Sequence, residues 1–198
     1  MKVLIYDETP QKWNLLDESW WAGAWFAKMR RRFDHKIGAT SWPDAIEKLL
    51  KISEGKKIHE LHYWGHGSWG KVFMGGKAIT SVALTEPRHA WYAQLKELAT
   101  RFTESSTVWF RVCSVFGNCK GKAFAKAVSE HFGCRVIGST FIIGPLHGGI
   151  HSARPGHEPA WPDKEGIKVI SGKERSKKSW FTSPNCVFFA VSNIPDSW

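Results

Sequence analysis

Apolar residues along this chain fall into short runs, separated by polar stretches that carry Gly or Pro, and the runs switch between two periods. Lys2–Tyr6 is a compact run of Val3, Leu4 and Ile5 ending at Asp7, which predicts a buried strand. After a linker, Trp21, Trp25, Met29 and Phe33 recur every four residues, as on one face of a helix. Arg30, Arg31 and Arg32 in its last turn suit the negative end of the helix dipole. His35–Thr40 predicts a second, weaker strand. Ser41-Trp42-Pro43-Asp44 then reads as a helix start, with a capping serine, an early proline and an acid three residues on. Ile46, Leu49 and Leu50 give that helix its apolar face, and Gly55 ends it.

Ile58–Tyr63 is the next predicted strand, and it leads into Gly65-His66-Gly67. Gly75-Gly76, inside "GKVFMGGKAIT", signals a hairpin. Trp91, Leu95, Leu98 and Phe102 step at helical spacing. Thr107–Val112 predicts a strand that stops at Cys113. Phe124, Val128 and Phe132 mark a helix closed by Gly133, and Arg135–Thr140 and Cys186–Val191 are further strands. From Ile143 to Ser183 the periodicity fails: a stretch rich in Gly, Pro and His reads as an ordered loop, and the basic run "SGKERSKKS" as a mobile one. Strands alternating with helices predict an α/β three-layer sandwich, with a mostly parallel sheet of about six strands and helices on both faces. One domain is expected over residues 1–198, with the irregular loop 143–183.

Composition changes this picture little. With 198 residues, 42% of them hydrophobic and 23% charged, the chain can bury a full core. Its 12 Trp residues are too many for one core to hide, so some are expected to line a groove or a protein partner's interface. The net charge of +10 favours anionic partners, although a solvated basic surface is the ordinary reading. Nucleic acid is not expected, because no recognised binding motif accompanies the basic segments 28–32 and 173–178. No run approaches the ~20 residues of a membrane-spanning helix. The four cysteines lack CxxC spacing, so neither a disulfide framework nor a zinc site is expected, and a reduced cytoplasmic setting is.

The candidate chemistry lies where two strands stop. In parallel sheets ligands gather beyond the carboxyl ends of the strands, and both His66 and Cys113 fall there. If the strands are neighbours, their backbones run ~4.8 Å apart and the two side chains can share a pocket. The remaining histidines do not suggest a metal centre: along a strand, residues 59 and 62 face opposite sides, so His59, His62 and His66 do not converge. No cofactor is expected.

The motifs "HYWGHG" and "VWFRVCSVFG" resemble the caspase–gingipain–legumain class of cysteine peptidases, in which apolar runs end in His-Gly and, later, in Cys. The stretch from His66 to Thr140 is similar to bacterial caspase-like domains related to the CHAT and gingipain groups. There the His-Gly is followed by a short hairpin, and the cysteine by a glycine, a helix and a strand. The resemblance implies a hydrolase with a Cys113/His66 dyad acting on a protein or peptide. It implies backbone N–H groups of Gly67 and Cys113 as the oxyanion site. Trp69 and Ser114, beside the dyad in sequence, are candidate substrate contacts, as is Trp161 in the loop. Asp163 and Glu165 are candidates for an acidic specificity pocket, and Arg154 for a basic one. A catalytically idle interaction module of the same fold is the alternative, and a basic nucleic-acid-associated domain is a third.

Overall fold

The computed structural model describes residues 1–9, 32–189, 191 and 194–198. The predicted helix through Trp21, Trp25 and Met29 and its arginine run fall largely within 10–31, outside the described residues. Strands β1 (Lys2–Asp7), β2 (His35–Ala39), β3 (Glu60–Trp64), β7 (Thr107–Arg111) and β8 (Arg135–Ser139) lie parallel in one sheet. With the antiparallel edge strand β10 (Ile150–Ala153), it has six strands in the order β10-β8-β7-β3-β1-β2. A three-stranded antiparallel ribbon, β4 (His66–Ser68), β5 (Lys71–Met74) and β6 (Lys77–Ile79), follows β3.

Alternation along the strands sorts the core. Val3, Ile5, Leu61, Tyr63, Val108 and Phe110 face one side and join the helices α1 (Trp42–Ile52), α2 (Ser81–Thr85), α3 (Tyr92–Ala99) and α4 (Asn118–Phe132) in one apolar cluster. Ser41 caps α1 as its sequence predicts, its Oγ accepting from the Asp44 N–H at 3.4 Å, and Gly133 ends α4 in the left-handed region. The reverse face carries Leu4 and Trp64, packed with Phe33, and Trp109 and Ile137, packed with Ile150 and Ile194. All four described helices therefore lie on one side, and the C-terminal segment covers part of the other.

The stretch 143–183 is more regular than its sequence suggests. It contains β9 (Leu146–His147), β10 and the hairpin β11 (Ile167–Ile170)–β12 (Lys173–Ser176). The basic run expected to be mobile is thus half of a hydrogen-bonded hairpin. The predicted strand Cys186–Val191 contracts to β13 (Val187–Phe188), which pairs with β9 outside the main sheet. The Phe189 N–H bonds the Pro145 carbonyl at 3.0 Å, in step with that pairing.

Candidate functional site

His66 opens the ribbon that crosses the carboxyl end of β3, and two polar side chains hold that ribbon in place. The Tyr63 hydroxyl donates to the Phe73 carbonyl, and Trp42 Nε1 donates to the Val72 carbonyl at 3.2 Å. Gly65 permits this close pass, because a Cβ there would stand 2.2 Å from Tyr63 Oη. The turn Trp69–Gly70 makes Ser68–Lys71 the closing pair of the β4–β5 hairpin. Gly67, opposite Val72, is then a non-hydrogen-bonded position whose N–H is directed away from β5.

Cys113 follows β7 by two residues and begins a sharp turn. Ser114, buried, takes φ 47°, a left-handed conformation that costs a non-glycine residue energy and persists only where its surroundings hold it. The Ser114 N–H donates to the Phe141 carbonyl at 2.7 Å, and the Phe116 N–H to Ser139 at 3.0 Å, tying the turn to the end of β8. The chain then enters α4 through Gly117. The Cys113 thiol is half-buried and contacts the Ile143 carbonyl at 3.9 Å, and burial raises its pKa above the ordinary thiol value.

The two strand ends meet. Trp64 of β3 is paired directly with Arg111 of β7, so the chains run on in step into Gly65–His66 and Val112–Cys113. A Cβ on Gly67 would stand 2.4 Å from Val112 Cγ2 and 3.0 Å from the Cys113 carbonyl oxygen. Only a glycine allows that approach without displacement. Trp69 extends the contact: a Cβ on Gly117 would lie 2.6 Å from its ring, so the indole rests on the turn that follows Cys113.

The loop candidates divide. Trp161 is buried, stacked on Phe116 with ring centroids 5.3 Å apart and donating from Nε1 to the Phe116 carbonyl at 3.0 Å. It is a core residue supporting the Cys113 turn from below rather than a substrate contact. Glu165 accepts from Thr140 Oγ1 at 2.6 Å and pairs with His151 Nε2 at 2.7 Å, so its carboxylate is committed. Asp163 is exposed and paired with Lys122 at 2.7 Å. Arg154 follows Ala153, which is opposite Val136 near the start of β8, and bonds Asp196 at 3.1 Å. It therefore sits toward the end of the sheet away from Cys113, which removes it from a pocket there.

Beneath the site, on the reverse face, lies a second polar group that the sequence did not reveal. Arg111 is 2% exposed. Its Nε donates to His62 Nδ1 at 3.1 Å, its other nitrogens donate to the carbonyls of Phe189 (2.7 Å) and Val191, and its guanidinium lies 3.6 Å from the Trp109 ring centroid. Because His62 Nδ1 accepts, the proton of the neutral ring is on Nε2, directed to Glu60 Oε1 at 2.7 Å. Burial holds the His62 pKa down at about 4, and His147, also buried, is held at about 3. Burial alone would raise Glu60, but His62 and Lys2 outweigh it and hold it at about 2. Among the described residues no three His, Cys, Asp or Glu side chains converge as metal ligands, and no helix is long and apolar enough to cross a membrane.

The family of the domain of unknown function DUF4347 matches residues 36–150, more than half of the chain, and the chain belongs to that family. The matched span runs from β2 to the start of β10 and holds both His66 and Cys113. No curated protein matches the chain.

Proposed function

We propose that this member of the DUF4347 family is a cysteine endopeptidase of caspase-like, three-layer architecture, with Cys113 as nucleophile and His66 as general base and acid. One observation carries the reading: the in-step ends of β3 and β7, which bring Gly67 against the Cys113 backbone. His66 takes the thiol proton as Cys113 Sγ attacks the scissile carbonyl. The oxyanion is held by the N–H groups of Gly67 and Cys113, a contribution of about 3 kcal/mol per donor in other enzymes. Collapse of the adduct passes the proton from His66 to the departing amine. Water, deprotonated by His66, then cleaves the thioester and restores the thiol.

The raised thiol pKa favours a second reading, an idle module of the same fold that binds a protein partner. Alkylation separates the two. A working dyad makes Cys113 react with iodoacetamide at neutral pH faster than Cys119, Cys134 or Cys186, and faster than unfolded thiol. Cleavage of a peptide library should disappear in Cys113→Ala. Labelling that rises only above the ordinary thiol range, with library cleavage unchanged by the substitution, would leave the idle module.

A further inference from the structure

Among the described residues the large apolar side chains most open to solvent gather on the hairpin β11–β12 and the segments beside it. Trp180 and Phe181 are each 65% exposed, Phe188 is 56%, and Val169 on the hairpin is 68%. Trp180 and Phe181 stand edge to face with centroids 5.9 Å apart, and Phe181 and Phe188 likewise at 6.0 Å, making one apolar mass. Its base is fixed. The Ile142 N–H donates to the Lys177 carbonyl and the Ser179 N–H to the Ile142 carbonyl, both at 2.8 Å. Lys177 and Lys178, both exposed, precede Trp180 by three and two residues, and the hairpin before them adds exposed Lys168, Lys173 and Arg175 against a single acid, Glu174, which is bonded to Lys164.

We propose that this is a docking surface for an anionic lipid bilayer. Protruding aromatic side chains in a segment rich in exposed cations match the two layers of such a membrane: acyl chains and glycerol for the rings, anionic headgroups for the lysines. Protein interfaces favour Tyr, Trp and Arg but are depleted in Lys, and four of these five cations are lysines. Single-stranded nucleic acid uses separate rings as platforms for successive bases, whereas these rings pack against one another. The surface adjoins Ile143, whose carbonyl touches Cys113, so docking would bring the strand ends close to the membrane. The proposal does not depend on the reaction assigned to Cys113.

The test is co-sedimentation of the full chain with vesicles of phosphatidylcholine alone or mixed with phosphatidylserine, at low and moderate salt. Binding is expected to the anionic vesicles only, weakening as salt rises. K177E/K178E should weaken it at least about twentyfold, at roughly fivefold per cation. W180A/F181A should weaken it about tenfold or more. Circular dichroism melts should be unchanged in both, since the replaced side chains are exposed. Absence of binding to anionic vesicles overturns the proposal, as does binding that both variants leave intact. Capture of a single-stranded oligonucleotide or an acidic protein through these residues, without vesicle binding, would assign the patch to that partner instead.

Discussion

Arg111 and Cys113 are two residues apart, yet they end in opposite circumstances. Arg111 lies inside the sheet, where every neighbour is protein, and its donors are taken up by His62 and by the carbonyls of Phe189 and Val191. Cys113 lies just past the strand, where pairing has ended and the backbone turns through a left-handed Ser114, and among the described residues its thiol makes one weak hydrogen-bond contact. A polar group within a strand is satisfied or it destabilises the fold. One just beyond the strand is held in position without being consumed, which leaves its chemistry available. Burial at the first position fixes structure, and partial exposure at the second fits a reactive role.

The largest effect that tests this contrast is on stability at Arg111. Arg111→Met leaves one buried acceptor, His62 Nδ1, and two part-buried carbonyls without their donor and should cost about 3–5 kcal/mol in urea unfolding; a loss below about 1 kcal/mol would mean that this network is not what holds the reverse face. Acid should come next. Near pH 6.5 the unfolded chain takes up protons at His62 and His147, but the folded chain refuses them until about pH 4 and about pH 3. Stability should therefore fall as pH drops, by roughly 3 kcal/mol between pH 7 and pH 5. Glu60, held at about 2, adds to the loss only below about pH 4.5. A flat unfolding midpoint across that window would contradict the neutral, satisfied histidines. Gly67→Ala should cost about 1–3 kcal/mol, because its Cβ would overlap Val112, and it should also depress library cleavage by parting the strand ends. The smallest change in stability is expected from Cys113→Ala, within about 1 kcal/mol, with cleavage lost. The end of β7 and the turn just beyond it would then give the largest and smallest stability effects two residues apart.

Much of this was legible from the chain. The central strands announce themselves as apolar runs with abrupt stops, and His66 and Cys113 stand out because each stop falls on a residue with chemistry. Less legible was whatever depends on distant partners. Arg111 shares a strand face with Trp109, which hints at a cation over a ring, but His62 and Phe189 reach it from 49 and 78 residues away. Trp161, flanked by Ala and Pro, looks like a loop residue until Phe116 and His151 stack against it. β10 is brief and begins beside glycines, and β12 is polar on both faces, so neither shows the alternation of a half-buried strand. Four side chains expected around a substrate turned out to be committed elsewhere or distant for the same reason: proximity in the loop sequence says little about which end of the sheet a residue reaches.

Arg111 and Arg135 grip the C-terminal segment in the same manner, Arg135 donating to the carbonyls of Ile194 and Pro195 as Arg111 does to Phe189 and Val191. Every residue offers a carbonyl oxygen, so the grip is largely blind to side-chain identity on one side and wholly dependent on it on the other. Over evolutionary time the gripped stretch can drift while the two arginines stay put. In a saturation mutagenesis map, the two halves of the same bond would show opposite tolerances. An engineer could rewrite Phe189 or Val191, or graft a foreign sequence of matching backbone path there, without disturbing the latch.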